Sequence, residues 1–209
     1  VTVARPAPAA PAHGVAIDDA TASVSIFDTR QDMLSGVVGL PATFGGLTAD
    51  IVMTPDQSLA FVPDFEGRRI WVVDLNTGAL ATGLNPIRVT TTPQDLDLTA
   101  DGRFLLVAGQ PTQANDAAVS VIDIERRAEV NTYGVGLWNC SIAAVDSDSV
   151  LVTDPGSSLV RRLTLSSSGA LSDTGQTLGL SSPMQVIVSP DGRTGVAVGS
   201  SVLQSFVVA

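Results

Sequence analysis

The stretch "VSPDGRTGVAVG", residues 188–199, places a turn sequence between two apolar runs. Pro sets the backbone at the entry of a turn, Asp bonds the amides that follow it, and Gly accepts a positive φ. Ser-Pro-Asp-Gly therefore predicts a tight turn between two strands. Related segments occur as "MTPDQSLAFV" from Met53, "LTADGRFLLV" from Leu98 and "AVDSDSVLV" from Ala144, and the Asp residues at 56, 101, 146 and 191 stand 45 residues apart.

Each repeat contains further strand signals. After the Asp turn comes a strand with apolar residues at alternating positions, then a variable loop, then a second strand. The second strands read "SVSIFDT", "IWVVDLNTG", "VSVIDIERR", "LVRRLTLSSSG" and "VLQSFVVA". The first three carry Asp28, Asp74 and Asp123 at the strand exit, where a short acceptor bonds the amides of a turn. No helical period is sustained, so we predict an all-β chain.

The repeat resembles that of β-propellers of the YVTN and lactonase-like type, in which an "SPDG" turn precedes one strand and a "VSVIDT"-like strand follows. The residues that carry the likeness are 189–192, "VSVIDI" at 119–124 and "SVSIFDT" at 23–29. The strand pattern and the 45-residue period predict about five units of four strands, and the resemblance implies that each unit is a blade with strands A to D from the axis outward. It is nearly silent on activity, because such propellers include enzymes, electron-transfer partners and binding modules.

The units are expected near residues 14–44, 45–92, 93–137, 138–182 and 183–209, after a Pro/Ala-rich segment at 1–13. The first unit lacks a proper A strand and the last lacks a D strand. The family implies seven blades, which leaves three arrangements open: a closed five-bladed ring, part of a larger ring, or an arc that another chain completes. Open edges invite further pairing. The Pro/Ala-rich start favours a secreted or surface protein.

Composition bears on the partners. The 11 basic residues, all Arg, face 21 acidic ones, a net charge of -10 that disfavours nucleic acid and anionic membranes. No apolar run is long enough to predict membrane insertion. The single cysteine, Cys140, and the single histidine, His13, disfavour a Cys-based zinc site, a catalytic triad and a multi-histidine centre. We expect no cofactor, with a cation at the channel mouth as the alternative.

A first candidate site is the channel mouth, a ligand site formed where the A strands begin. The 45-residue period places Asp50, Asp95, Cys140 and Gln185 at equivalent positions, and Trp138 enters the fourth A strand where neighbouring units have Pro. These residues could hold a cation or stack on a ligand. Alternatively, they are small polar residues that bond nearby amides and a ring that fills a gap. Because Asp95 and Asp97 flank Leu96, only one of the two is expected to face the channel.

A second candidate site is the loop "PDFEGRR", residues 63–69, which joins strands B and C of the second unit. An exposed Phe among mixed charges suits protein recognition, although Phe65 could equally fold over its own blade. The predicted protein-binding residues are Asp64, Phe65, Glu66, Arg68 and Arg69.

Two functions follow from these features. The first is a non-enzymatic, secreted or surface propeller that binds a protein partner, or associates with itself, through its loop face or open blade edges. The alternative is a propeller enzyme, lactonase-like or cofactor-dependent, with an acidic site at the channel mouth.

Overall fold

The computed structural model describes residues 12–41, 50–83, 85–110, 118–135 and 140–208. All regular structure in these ranges is β, arranged as five antiparallel sheets that follow one another along the chain. The predicted all-β propeller of about five four-stranded units is confirmed.

The five sheets are numbered as blades in chain order. Blade 1 holds β1 (His13–Asp18), β2 (Ser23–Asp28) and β3 (Met33–Gly39). Blade 2 holds β4 (Val52–Met53), β5 (Leu59–Asp64), β6 (Arg69–Asp74), β7 (Ala79–Leu80) and β8 (Ile87–Arg88). Blade 3 holds β9 (Thr92–Leu98), β10 (Phe104–Gln110), β11 (Val119–Asp123) and β12 (Ala128–Tyr133). Blade 4 holds β13 (Ile142–Ala144), β14 (Ser149–Asp154), β15 (Leu159–Leu165) and β16 (Leu171–Gly179). Blade 5 holds β17 (Gln185–Val188), β18 (Thr194–Val198) and β19 (Leu203–Val207).

Blades 3 and 4 show the complete pattern of four strands, each paired with the next. In blade 2, β7 and β8 both pair with β6 and share the outermost position, while the Asn85 side chain between them bonds Val72 N and O. Among the described residues, blade 1 has strands B, C and D, and blade 5 has strands A, B and C.

Four apolar clusters hold the blades together, one at each junction between successive blades. Neighbouring side chains on a strand point to opposite faces. In β5, Ala60 and Val62 therefore pack towards blade 1, whereas Phe61 packs towards blade 3. Trp71 lies in the cluster between blades 1 and 2. Blades 2, 3 and 4 are consequently apolar on both faces.

The opening stretch forms the predicted turn between β17 and β18. The Ser189 hydroxyl donates to Asp191 Oδ1 over 2.6 Å, and the same oxygen accepts from Arg193 N. Gly192 has a φ of 70°. Thr99 and Asp101 repeat this bonding in blade 3, and Thr54 and Asp56 repeat it in blade 2.

The Asp residues at the strand exits also form turns as predicted. Asp28 Oδ1 accepts from Arg30 N, and Asp74 Oδ1 accepts from Asn76 N. Blades 2 and 3 contain both of these local turns, which set the spacing of their strands.

Candidate functional site

The inner strands of blades 2 to 5 border the channel, and their channel-side edges have no neighbouring strand among the described residues. Their amides on that edge need other acceptors. Asp50 Oδ2 accepts from Leu96 N, and Asp95 Oδ2 accepts from Ile142 N over 2.8 Å. Each carboxylate thus reaches the inner strand of the next blade, so these predicted mouth residues connect successive blades.

Asp97 and Ser141 belong to the same set of connections. Asp97 Oδ2 accepts from Ala144 N over 2.8 Å, and the Ser141 hydroxyl accepts from Val186 N over 3.2 Å. The expectation that only one of Asp95 and Asp97 faces the channel is wrong, because residues two apart on a strand share a face. Both carboxylates point to the inner strand of blade 4. The alternation of side chains along a strand therefore identifies Asp97 from the sequence as a carboxylate on the same face as Asp95.

The channel carboxyls bind protons more tightly than an ordinary Asp. Burial, followed by the charge of Asp95, raises the pKa of Asp50 to about 6. Burial likewise raises the pKa of Asp95 and of Asp97, although backbone amides partly offset the effect. Lost hydration therefore disfavours ionisation of all three carboxyls, and the charge of Asp95 adds to this effect at Asp50 and Asp97.

Cys140 is buried in the cluster between blades 3 and 4. Its thiol hydrogen is shared between Gly109 O at 3.3 Å and Ala118 O at 3.2 Å. Burial raises the pKa of the Cys140 thiol to about 12. A thiol this difficult to ionise is a poor nucleophile at neutral pH.

An open cleft of about 380 Å³ brings three of the predicted mouth residues together. Asp95, Cys140 and Gln185 line it with Gln94, Ser141, Met184 and Val198. Asp50 is not part of its lining, and Trp138 lies outside the described residues. No group of three or more His, Cys, Asp or Glu within the described ranges is placed to hold a metal ion.

In the predicted protein-binding loop, Asp64 and Arg69 are tied into the fold. Asp64 is fully buried and accepts from Gly67 N, from Arg69 Nε over 2.7 Å and from Trp71 Nε1 over 3.1 Å. The Arg69 guanidinium also stacks on Trp71, 4.7 Å from the ring centre. The side chains of Glu66 and Arg68 remain exposed and Phe65 is half-buried, so these three form the accessible part of the loop.

Blade 4 builds the same corner with different residues. Asp154 lies two periods after Asp64 and accepts from Ser157 N and from Arg161 Nε over 2.8 Å. Arg161 thus stands where blade 2 has Trp71. Arg161 and Arg162 interrupt the usual apolar pattern of this strand. The ion pair with the buried Asp154 explains the first of the two.

The outer faces of blades 1 and 5, defined as the faces turned away from blades 2 and 4, are apolar and exposed. All the large exposed hydrophobic side chains in the described residues lie in these two blades or directly beside their strands. They are Phe27, Met33, Leu34 and Val37 in blade 1, and Met184, Ile187, Val202, Leu203 and Val207 in blade 5. Leu203 is 69% exposed, whereas Val121, in the covered β11, is 0% exposed.

The outer face of blade 5 also lacks charge. In addition to the exposed apolar side chains, the alternating residues that share this face are Gln185, Thr194, Val196, Val198 and Ser205. Contiguous exposed apolar surface of this kind is typical of protein interaction sites.

Comparison with known proteins supports the fold and leaves the activity open. No protein-family model matches the chain, and no curated protein sequence matches it either. A protein of unknown function from Desulfotomaculum acetoxidans has a TM-score of 0.67 and 15% identity, over 94% of this chain and 75% of that one. Hydrazine synthase from Kuenenia stuttgartiensis has a TM-score of 0.66 and 18% identity, over 88% of this chain and 54% of that one.

Two further structures share the architecture. The dihydro-heme d1 dehydrogenase NirN has a TM-score of 0.70 and 15% identity, over 94% of this chain and 42% of that one. A chain of the mitotic checkpoint complex has a TM-score of 0.69 and 14% identity, over 91% of this chain and 59% of that one. At these identities the likeness establishes a β-propeller fold. Within the described ranges, no helix is long and apolar enough to cross a membrane.

Proposed function

We propose that this propeller is a non-enzymatic protein-binding and assembly module that works through the outer faces of blades 1 and 5. The observation that carries the proposal is the confinement of the large exposed hydrophobic side chains to these two blades. Every junction inside the chain buries such a face against the next blade. The same packing between the blade 5 face of one copy and the blade 1 face of another would bury both.

The expected contact is heterologous, since two different surfaces meet, and it repeats the geometry of the internal junctions. Its core would consist of Ile187 and Leu203 on one side and of Phe27, Leu34 and Val37 on the other. Removing these side chains from water is the driving force.

Sedimentation velocity over a range of protein concentrations tests this proposal. The wild type is expected to associate as its concentration rises, and Ile187→Lys to weaken the association at least tenfold, because a charge would be buried in the contact. Thr132→Lys is the matched control, since Thr132 is exposed on a strand of blade 3. A single monomeric species at every concentration, or equal weakening by Thr132→Lys, would refute self-assembly.

We further propose that the repeats are of the YVTN and lactonase-like type. "SPDG" at 189–192 and "VSVIDI" at 119–124 support this assignment. This assignment does not predict a particular activity, because propellers of this type perform many functions.

An enzymatic function is the second candidate. It is favoured by the three channel carboxyls with raised pKa values, since perturbed carboxyls are common in active sites. NirN and hydrazine synthase are enzymes by name and share the fold. Bound metal in the purified protein that is lost on Asp50→Ala would place this candidate first. Unchanged partner binding by Asp50→Ala and Asp95→Ala would favour the binding module.

A further inference from the structure

One backbone amide in each inner strand is bonded to a side chain of the preceding blade. The three donors stand at the same register position, because their partners in the adjacent strand are 45 residues apart, and they are Leu96, Ile142 and Val186. Their acceptors are, in the same order, Asp50, Asp95 and Ser141. These inner-strand junctions therefore share one geometry and differ in the acceptor, which is a carboxyl at the first two and a hydroxyl at the third.

The two carboxyl acceptors also contact each other. The Asp50 carboxyl hydrogen-bonds to Asp95 across the junction between blades 2 and 3. Two ionised carboxylates cannot form this bond, because both are acceptors and both carry negative charge. One member of the pair therefore carries a proton whenever the bond is present, and that proton links two blades.

The surroundings of the pair add no compensating positive charge. Among the described residues, no ion pair includes Asp50 or Asp95. The titratable groups that face the pair are Asp97, on the same strand as Asp95, and Cys140, at the entry to blade 4. Asp97 can only add negative charge, and burial keeps the Cys140 thiol protonated. Repulsion within the pair is therefore relieved by a proton.

The pKa values of the pair agree with a shared proton. Burial, followed by the charge of Asp95, raises the pKa of Asp50 to about 6. Burial also raises the pKa of Asp95, although hydrogen bonds from Ser141, Ile142 N and Asp50 partly offset the effect. Asp50 is therefore the member that holds the proton, and Asp95 accepts from it. Because the net shift at Asp50 is upward, its bond with Leu96 N does not compensate for ionisation.

We infer that the inner-strand junction between blades 2 and 3 is controlled by a proton, which joins Asp50 to Asp95 in acid and whose loss at neutral pH loosens the junction. When the proton leaves to water, two carboxylates face each other and their repulsion separates the inner strands at this point. The junction between blades 4 and 5, which uses the Ser141 hydroxyl, does not respond. This inference rests on channel residues alone and is independent of the outer faces of blades 1 and 5.

Carbon-13 NMR of the aspartate carboxyls between pH 3 and pH 8 tests the shared proton. Asp50 is expected to titrate with a midpoint of about 6, and the Asp95 signal should shift in the same step. Asp95→Asn removes the neighbouring charge and supplies an amide donor, so it should lower the Asp50 midpoint by about half a pH unit or more. Asp97→Asn is the matched control and should lower it less, because the charge of Asp97 is the smallest cause of the shift at Asp50.

Hydrogen exchange of single amides tests the loosening of the junction. After correction for the intrinsic rate, protection of Leu96 N should fall about fivefold between pH 5 and pH 7.5, whereas that of Val186 N should stay within about twofold. Asp50→Ser gives the junction the acceptor that blade 4 already uses, and it should abolish the fall at Leu96 N. Thermal unfolding of each variant establishes that it is folded.

Four outcomes would overturn the inference. An Asp50 midpoint at the ordinary value of about 4, or equal effects of Asp95→Asn and Asp97→Asn, would exclude a shared proton. Equal loss of protection at Leu96 N and Val186 N would show that the whole fold responds to pH and not this junction. A fall that persists in Asp50→Ser would assign the response to another group. None of these outcomes bears on association through the outer faces, which sedimentation tests separately.

Discussion

The carboxyl of Asp50 accepts hydrogen bonds from Leu96 N and Ile51 N, and yet burial and the charge of Asp95 raise its pKa to about 6. A carboxyl whose pKa is higher in the folded than in the unfolded state stabilises the fold only while protonated. Its contribution is full below about pH 4 and is lost as the pH rises through about 6.

The unfolding free energy of the wild type should therefore fall between pH 5 and pH 7.5 as Asp50 ionises, and Asp50→Asn is expected to make this fall smaller. The reduction should be about 1 kcal/mol, less than the full pKa shift implies, because part of the carboxyl remains in water. Urea unfolding at the two pH values measures it. An unchanged pH dependence would show that Asp50 does not ionise in this range. The amide replaces only one of two acceptor oxygens, so the slope with pH, not the absolute stability, is the diagnostic quantity.

Asp101 is the contrasting case, because its pKa is lowered in the folded protein and not raised. The Thr99 hydroxyl and Arg103 N donate to it, and these bonds lower its pKa despite some burial. Its stabilisation is present above about pH 4 and is lost as the pH falls below that. Asp101→Ala should cost about 1 kcal/mol at pH 7 and less at pH 3, as measured by urea unfolding. A loss of unfolding free energy on Asp101→Ala that is larger at pH 3 than at pH 7 would show that the ionised carboxylate does not stabilise this turn.

At the scale of elements, the loop between β5 and β6 depends on one buried carboxylate. Asp64→Ala would leave Arg69 without its carboxylate partner and would remove the acceptor of Gly67 N and Trp71 Nε1. The expected cost is about 3 kcal/mol, whereas Glu66→Ala should change the stability by less than about 0.5 kcal/mol. Thermal or urea unfolding measures both. If the loop binds a partner, variants of the exposed Glu66 and the half-buried Phe65 test this more cleanly than variants of Asp64, which holds the corner together.

Another element-scale constraint acts at Gly109, where the pairing of β10 with β9 shifts register. A Cβ atom at this position would lie 1.7 Å from Thr92 O. Gly109→Ala should therefore displace the end of β9 and weaken the Cys140 thiol bond to Gly109 O. We expect a loss of 2 kcal/mol or more, roughly the cost of core overpacking, and faster reaction of Cys140 with a thiol reagent. Unchanged thiol reactivity would contradict the coupling.

For the whole molecule, the sequence predicts the features that depend on near neighbours. Ser189 and Asp191 form their turn within six residues, so the turn can be recognised in the sequence. Its recurrence every 45 residues then predicts the blades. The role of Asp95 depends instead on Ile142, which lies in the next blade. The burial of Asp64 depends on where Trp71 and Arg69 come to lie. Such contacts arise only when blades pack, so the sequence alone supports the connecting role of Asp50 and Asp95 only as one of two alternatives.

Stability should vary from blade to blade in the same way as burial. Blades 2, 3 and 4 are covered on both faces, while blades 1 and 5 each have one apolar face in water. In a repeat architecture each unit is stabilised mainly by its neighbours, so the end blades should open first. At low protein concentration, amides of β2 and β18 are expected to exchange at least tenfold faster than those of β10 and β11.

If the outer faces of blades 1 and 5 join copies together, raising the protein concentration should slow amide exchange in β2 and β18 and leave exchange in β10 and β11 unchanged. The Ile187→Lys variant should abolish that concentration dependence, because it blocks the contact without altering blade 3. Exchange measured by mass spectrometry at several concentrations decides the matter. Equal protection of all five blades at low concentration would contradict both the exposed end faces and the assembly built on them.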